Sequence, residues 1–173
     1  MNKYDNIDVE RIKAISSKTE SYSETIEKIV GDIVNPYSKD LDRYVAFIRN
    51  CLEDGERRPS DMELEDYCMN LSTQIYWVSA GCERLGIRDD ISKAIYREIY
   101  NTARQIEEKG TVADKDSIAE LKSQQELLTN VCYNRAFKIL RAKVENAQEI
   151  LSACKKVLSR RISELELTRI KNG

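Results

Sequence analysis

An all-α fold is what this chain predicts: an elongated helical hairpin or coiled-coil-like bundle, with a long C-terminal helix and small N-terminal helices. Two observations carry that reading. Only two prolines and six glycines interrupt 173 residues, which leaves stretches suited to helices rather than short strands and turns. Apolar residues recur at steps of three and four over most of the chain, the repeat of one helix face. A charged fraction of 34%, 41% hydrophobic residues and a mean hydropathy of -0.56 describe a water-compatible chain that can still bury a core.

Residues 1–20 are polar and weakly periodic. In "SYSE", Ser21 and Glu24 have capping-box spacing, and Ile26, Ile29, Val30 and Ile33 follow on one face. Asn35-Pro36 is expected to stop that helix, because a residue before proline avoids the helical region. A second short helix is expected from Ser38 to Leu52, ended near Gly55. "ERRPSDME" then reads as a linker, with Ser60 and Glu63 forming another capping box. This divides the chain into an acidic helical region, 1–58, and a long hairpin region, 59–173.

Leu64, Tyr67, Leu71, Ile75, Val78, Cys82 and Leu85 define the next helix, which Gly86 is expected to break. Asp89 or Asp90 would cap its successor, which carries Ile91, Ile95, Ile99 and Ile106 and ends at Gly110. Beyond "GTVADKD", one pattern runs from about Ser117 to Ile170 without glycine or proline. Ile118, Leu121, Gln125, Leu128 and Cys132 form its first part. After a phase shift come Phe137, Leu140, Val144, Ala147, Leu151, Cys154 and Leu158, then Ile162 and Leu165. Sustained three-four alternation marks a coiled-coil-like seam. About 50 residues at 1.5 Å each reach roughly 75 Å, so such a helix needs a partner from its own chain, from a second copy, or both. Homo-oligomerisation is expected.

The chemistry is narrow. There is no histidine, which removes Ser-His-Asp triads, Cys-His dyads and histidine-based zinc sites. Cys51, Cys68, Cys82, Cys132 and Cys154 show no C-x-x-C spacing and read as reduced core thiols. Asp89-Asp90 and Asp114/Asp116 have the oxygen donors a hard cation takes, but they stand at expected helix starts, where acids complement the dipole. "EKGTVADK" lacks the phosphate-loop pattern. Tyr67, Tyr76, Tyr96, Tyr100, Tyr133 and Trp77 could stack bases, but beside isoleucines they read as the edge of a core. The expectation is a non-enzymatic protein without cofactor or metal. No apolar run approaches the roughly 20 residues that span a bilayer, and the N-terminus lacks a secretion-signal centre, so no membrane role and a cytoplasmic location are expected.

Charge is unevenly spread. Residues 1–66 hold 16 acidic and 10 basic side chains, a balance of -6; residues 135–161 hold eight basic and two acidic, a balance of +6. On a helical wheel, Lys138, Lys156, Arg160 and Arg135 fall on the outer face of the last helix. Arg141, Lys143, Lys155 and Arg161 flank its seam, where stems are buried and heads pair with acids. Two readings stand: a solvated, ion-paired face, or an anion-binding stripe.

"LGIRDD", "GTVADK" and "KKVLSRRISELELTR" on a long C-terminal helix resemble a type of small helical protein encoded by bacteriophages. The layout, two helical stretches followed by a long helix with a basic end, is similar to that of the UvsY-type recombination mediators. The resemblance implies an oligomer that binds single-stranded DNA and works with a recombinase and a single-strand binding protein. Nonspecific phosphate contacts would then fall to Arg135, Lys138, Arg141, Lys155, Lys156, Arg160 and Arg161. The alternative from the same sequence is a protein-interaction module, a scaffold or an inhibitor, working through the acidic N-terminal region.

Overall fold

A computed structural model describes residues 9–53, 58–106 and 111–172. All regular structure there is helical: α1 (Val9–Glu53), α2 (Asp61–Ile106), α3 (Val112–Lys122) and α4 (Gln124–Asn172). The expected ends at Gly55 and Gly110 lie outside the described residues.

α2 and α4 form the expected hairpin. Arg161 reaches Asp61 at one end, and Asn134 reaches Asp89 further along, so the two run antiparallel. α3 continues the line of α4 along α2, with Arg104 and Tyr100 both on Asp116. α1 lies parallel to α4, joined to it where Lys143 meets Asp42 and Ser38. One hydrophobic cluster draws on all three long helices, including Leu41 and Ile48 of α1, Leu64, Leu71 and Leu85 of α2, and Leu140, Ala147 and Cys154 of α4.

The proline stop does not occur. α1 is a single helix of 45 residues with Pro36 inside it. Proline removes one ladder bond and crowds the carbonyl four residues back, at a cost of about 3 kcal/mol. That carbonyl belongs to Asp32, an exposed residue, so water can serve it. Val30, Val34, Leu41 and Ile48, on both sides of the proline, are each at most 4% exposed, and their burial outweighs the local penalty. Ser21 is likewise mid-helix, its carbonyl accepting from the Thr25 hydroxyl at 3.0 Å.

Gly86 does not break α2, which runs unbroken for 46 residues. A side chain there would begin 3.4 Å from the Phe137 ring, so glycine lets α4 approach. Asp89 caps nothing. Its carboxylate accepts from Asn130 Nδ2 at 3.0 Å and Asn134 Nδ2 at 2.9 Å, a polar clamp between α2 and α4.

The uninterrupted last helix is also corrected. Ser123, fully buried, separates α3 from α4; its hydroxyl and its N–H both donate to the Ala119 carbonyl. The Ser123 backbone, at φ -102° and ψ 10°, departs from helical geometry there, without any glycine or proline. Of the expected seam, Cys132, Leu140, Val144, Ala147 and Cys154 are buried, while Leu121, Ile162 and Leu165 are more than 45% exposed. The seam holds in the middle and loses its burial toward both ends.

Two capping boxes start helices. Ser60 and Glu63 exchange side-chain-to-backbone bonds at 2.7 and 3.2 Å, as the sequence predicts. Ser60→Ala should lower stability by about 1 kcal/mol, read as a shifted urea midpoint. Thr111 and Asp114 form the second box. Those bonds hold the Asp114 carboxyl below its ordinary range, so its contribution is present above the ordinary carboxylate pKa and is lost as pH falls through the depressed value.

Candidate nucleic-acid interface

The basic residues of 135–161 sit on one helix, α4, but they do not share one surface. Arg161, at the α2 side, donates to the Pro59 carbonyl at 2.7 Å and to Asp61 at 2.9 Å. It ties the end of α4 to the start of α2. Lys143 does the same work toward α1, pairing with Asp42 and donating to the fully buried Ser38 hydroxyl. Both flanking positions therefore bind acids within the chain.

Arg141 pairs with Glu145 at 2.9 Å and Arg160 with Glu164 at 2.8 Å, each along exposed helix at i,i+4 spacing. Such pairs contribute about 0.3–0.5 kcal/mol, little enough for a phosphate to displace the carboxylate. Arg135 borders a groove of about 680 Å³ between α1 and α4, across from Glu27. Lys155 lies near Cys68 of α2, where its charge pulls the thiol down against the larger upward push of burial.

Lys138 and Lys156 remain. Both are exposed, and neither makes an ion pair among the described residues. They stand eighteen residues apart, about five turns, on one line of the helix roughly 27 Å long. Arg141 and Arg160 lie beside the two ends of that line, and Glu145 and Glu149 fall between them. The outward surface is two cationic ends with an acidic middle. Arg161 leaves the candidate set as a structural residue, and Arg135 and Lys155 face different sides.

The aromatic residues divide in a way the sequence does not foretell. Tyr67 is buried, and burial first, then contact with Cys51, pushes its hydroxyl up to about 12. Tyr76 and Trp77, expected at a core edge, are 70% and 66% exposed and pack edge-to-face at 5.4 Å. Burial pushes the thiols of Cys68, Cys82, Cys132 and Cys154 up, which keeps them in the unreactive protonated form. Among the described residues, no group of three or more Cys, Asp or Glu gathers as metal ligands, and no helix is long and apolar enough to cross a membrane.

No protein-family model matches the chain, and no curated protein or solved structure matches it.

Proposed function

We propose that this protein is a non-enzymatic, homo-oligomeric accessory factor of the phage type that binds single-stranded DNA during recombination or replication. The observation that carries the proposal is the outward line of Lys138 and Lys156, both without internal acids, with Arg141 and Arg160 beside them in easily exchanged pairs. Each copy offers only about four cations, so affinity comes from repetition across an oligomer. The resemblance to UvsY-type mediators supports the same reading, with a recombinase or single-strand binding protein as the further partner. Four phosphate contacts per chain give a slope of about -3 in log K against log salt for a single strand. Raising salt from 50 to 200 mM should then weaken binding of a labelled oligonucleotide about fiftyfold in fluorescence anisotropy. Absence of binding at 50 mM, or binding indifferent to salt, would refute the proposal.

A second reading, a protein-interaction module, is favoured by α1. Its described residues hold eight acids and seven bases, so α1 itself is nearly neutral. What it offers is apolar instead. Ile12, Ile15 and Tyr22 are 55–61% exposed and continue the three-four spacing of Ile26, Ile29 and Ile33. If activity survives reversal of the α4 charges but is abolished by deletion of residues 1–24, this module replaces the DNA-binding reading.

A further inference from the structure

α2 is apolar on two opposite faces. One, with Leu64, Leu71, Val78 and Leu85, is the core. At 100° per residue, Met62, Met69, Tyr76, Trp77, Ile87 and Ile91 fall within a sector of about 100° on the other side. Their exposures run from 54% for Ile91 to 76% for Met62. Taking about 200 Å² for each large side chain, the six leave roughly 800 Å² open to solvent. Summed along the stripe, that equals the roughly 800 Å² that each partner contributes to a standard interface.

The charges set into this stripe indicate what covers it. Asp66 and Arg84 are exposed and make no ion pair among the described residues. They are eighteen residues apart, about five turns, and therefore lie on the same line of the helix. Parallel pairing of two such helices would bring Arg84 against itself. Antiparallel pairing about a two-fold axis lays that line against its own reverse, so that Asp66 faces Arg84 of the partner subunit, and Arg84 faces Asp66 of the partner subunit. The axis then passes beside Tyr76, and the two Tyr76–Trp77 pairs meet at the centre, where aromatic anchors dominate interface energetics. Self-complementarity of one patch is the requirement of a two-fold interface.

We propose that the outer face of α2 is a homodimer interface, occupied by α2 of a second copy in antiparallel orientation. The inference rests on the homo-oligomeric part of the reading above and names its surface and symmetry. It leaves the Lys138–Lys156 line of α4 open in both copies.

The test is the mass of the full chain in solution, by light scattering and sedimentation over a range of concentrations without nucleic acid. The expected mass is twice 20.0 kDa. Trp77→Glu, on an exposed side chain, should weaken self-association at least about tenfold with an unchanged far-ultraviolet spectrum. Arg84→Asp should weaken it too, and Asp66→Arg combined with Arg84→Asp should restore it, a rescue that only reciprocal pairing produces. A mass of 20.0 kDa at every concentration overturns both the interface and the oligomeric reading. An oligomer unaffected by Trp77→Glu and Arg84→Asp overturns the interface alone. Quenching of Trp77 by an oligonucleotide on a chain that stays monomeric overturns it in favour of base stacking.

Discussion

Leu71→Ala should cost about 3 kcal/mol of folding stability, within the range of about 2–5 kcal/mol found for buried leucines. Leu71 is 0% exposed and belongs to the cluster shared by α1, α2 and α4. Its truncation removes contacts inside a core only three helices wide, with few layers available to collapse into the gap. The loss is read from the urea midpoint, at an unchanged slope. Ser72→Ala, the next residue and exposed, should stay within about 0.5 kcal/mol. Similar losses at both positions would mean that α2 does not present these faces.

Gly81→Leu should be nearly as damaging, by about 1–3 kcal/mol, although leucine is the better helix former by almost 1 kcal/mol. An added Cβ would lie 3.0 Å from Tyr37 Cγ and 2.6 Å from its Cδ1, the latter closer than real Cβ contacts come. α1 must therefore lift away from α2, or the Tyr37 ring must turn out. A cycle isolates the cause. With Tyr37→Ala already present, Gly81→Ala should become neutral or stabilising, because only the propensity gain remains. Gly31→Ala, where nothing lies within 4 Å of the new Cβ, should stabilise from the outset.

The helical class, the Ser60–Glu63 box and the middle of the α4 seam could be read directly, because each depends on spacing within one segment. The errors share a different cause. Pro36 and Gly86 obey their local rules as stops only when nothing opposes them. Here Val34 and Leu41 hold α1 through the proline, and Phe137 uses the space at Gly86. At Ser123 the backbone departs from helical geometry in a run that contains neither glycine nor proline, which spacing does not reveal. Tyr76 and Trp77 stand on the outer face and not at a core edge, because α2 carries two apolar stripes. Met62 and Met69, at seven-residue spacing with Tyr76, mark the second.

The basic segment shows the same division. The wheel separates flanking Lys143 and Arg161 from outward Lys138 and Lys156 without knowledge of a partner. That Arg161 meets Asp61, a hundred residues away in sequence, depends on the hairpin register. The charges were therefore legible as two kinds, while the acids that claim them were not.

The measurement that bears most directly on the account compares two variants in one binding titration with a labelled single-stranded oligonucleotide. Lys138→Glu with Lys156→Glu should weaken binding by at least about tenfold, leave the urea midpoint within about 0.5 kcal/mol, and flatten the salt dependence. Arg161→Gln should do the reverse, lowering the midpoint while binding at low salt is retained. The contrary result, undiminished binding in the double lysine variant with loss in Arg161→Gln, would contradict the assignment of the outward line of α4 as the phosphate-binding surface.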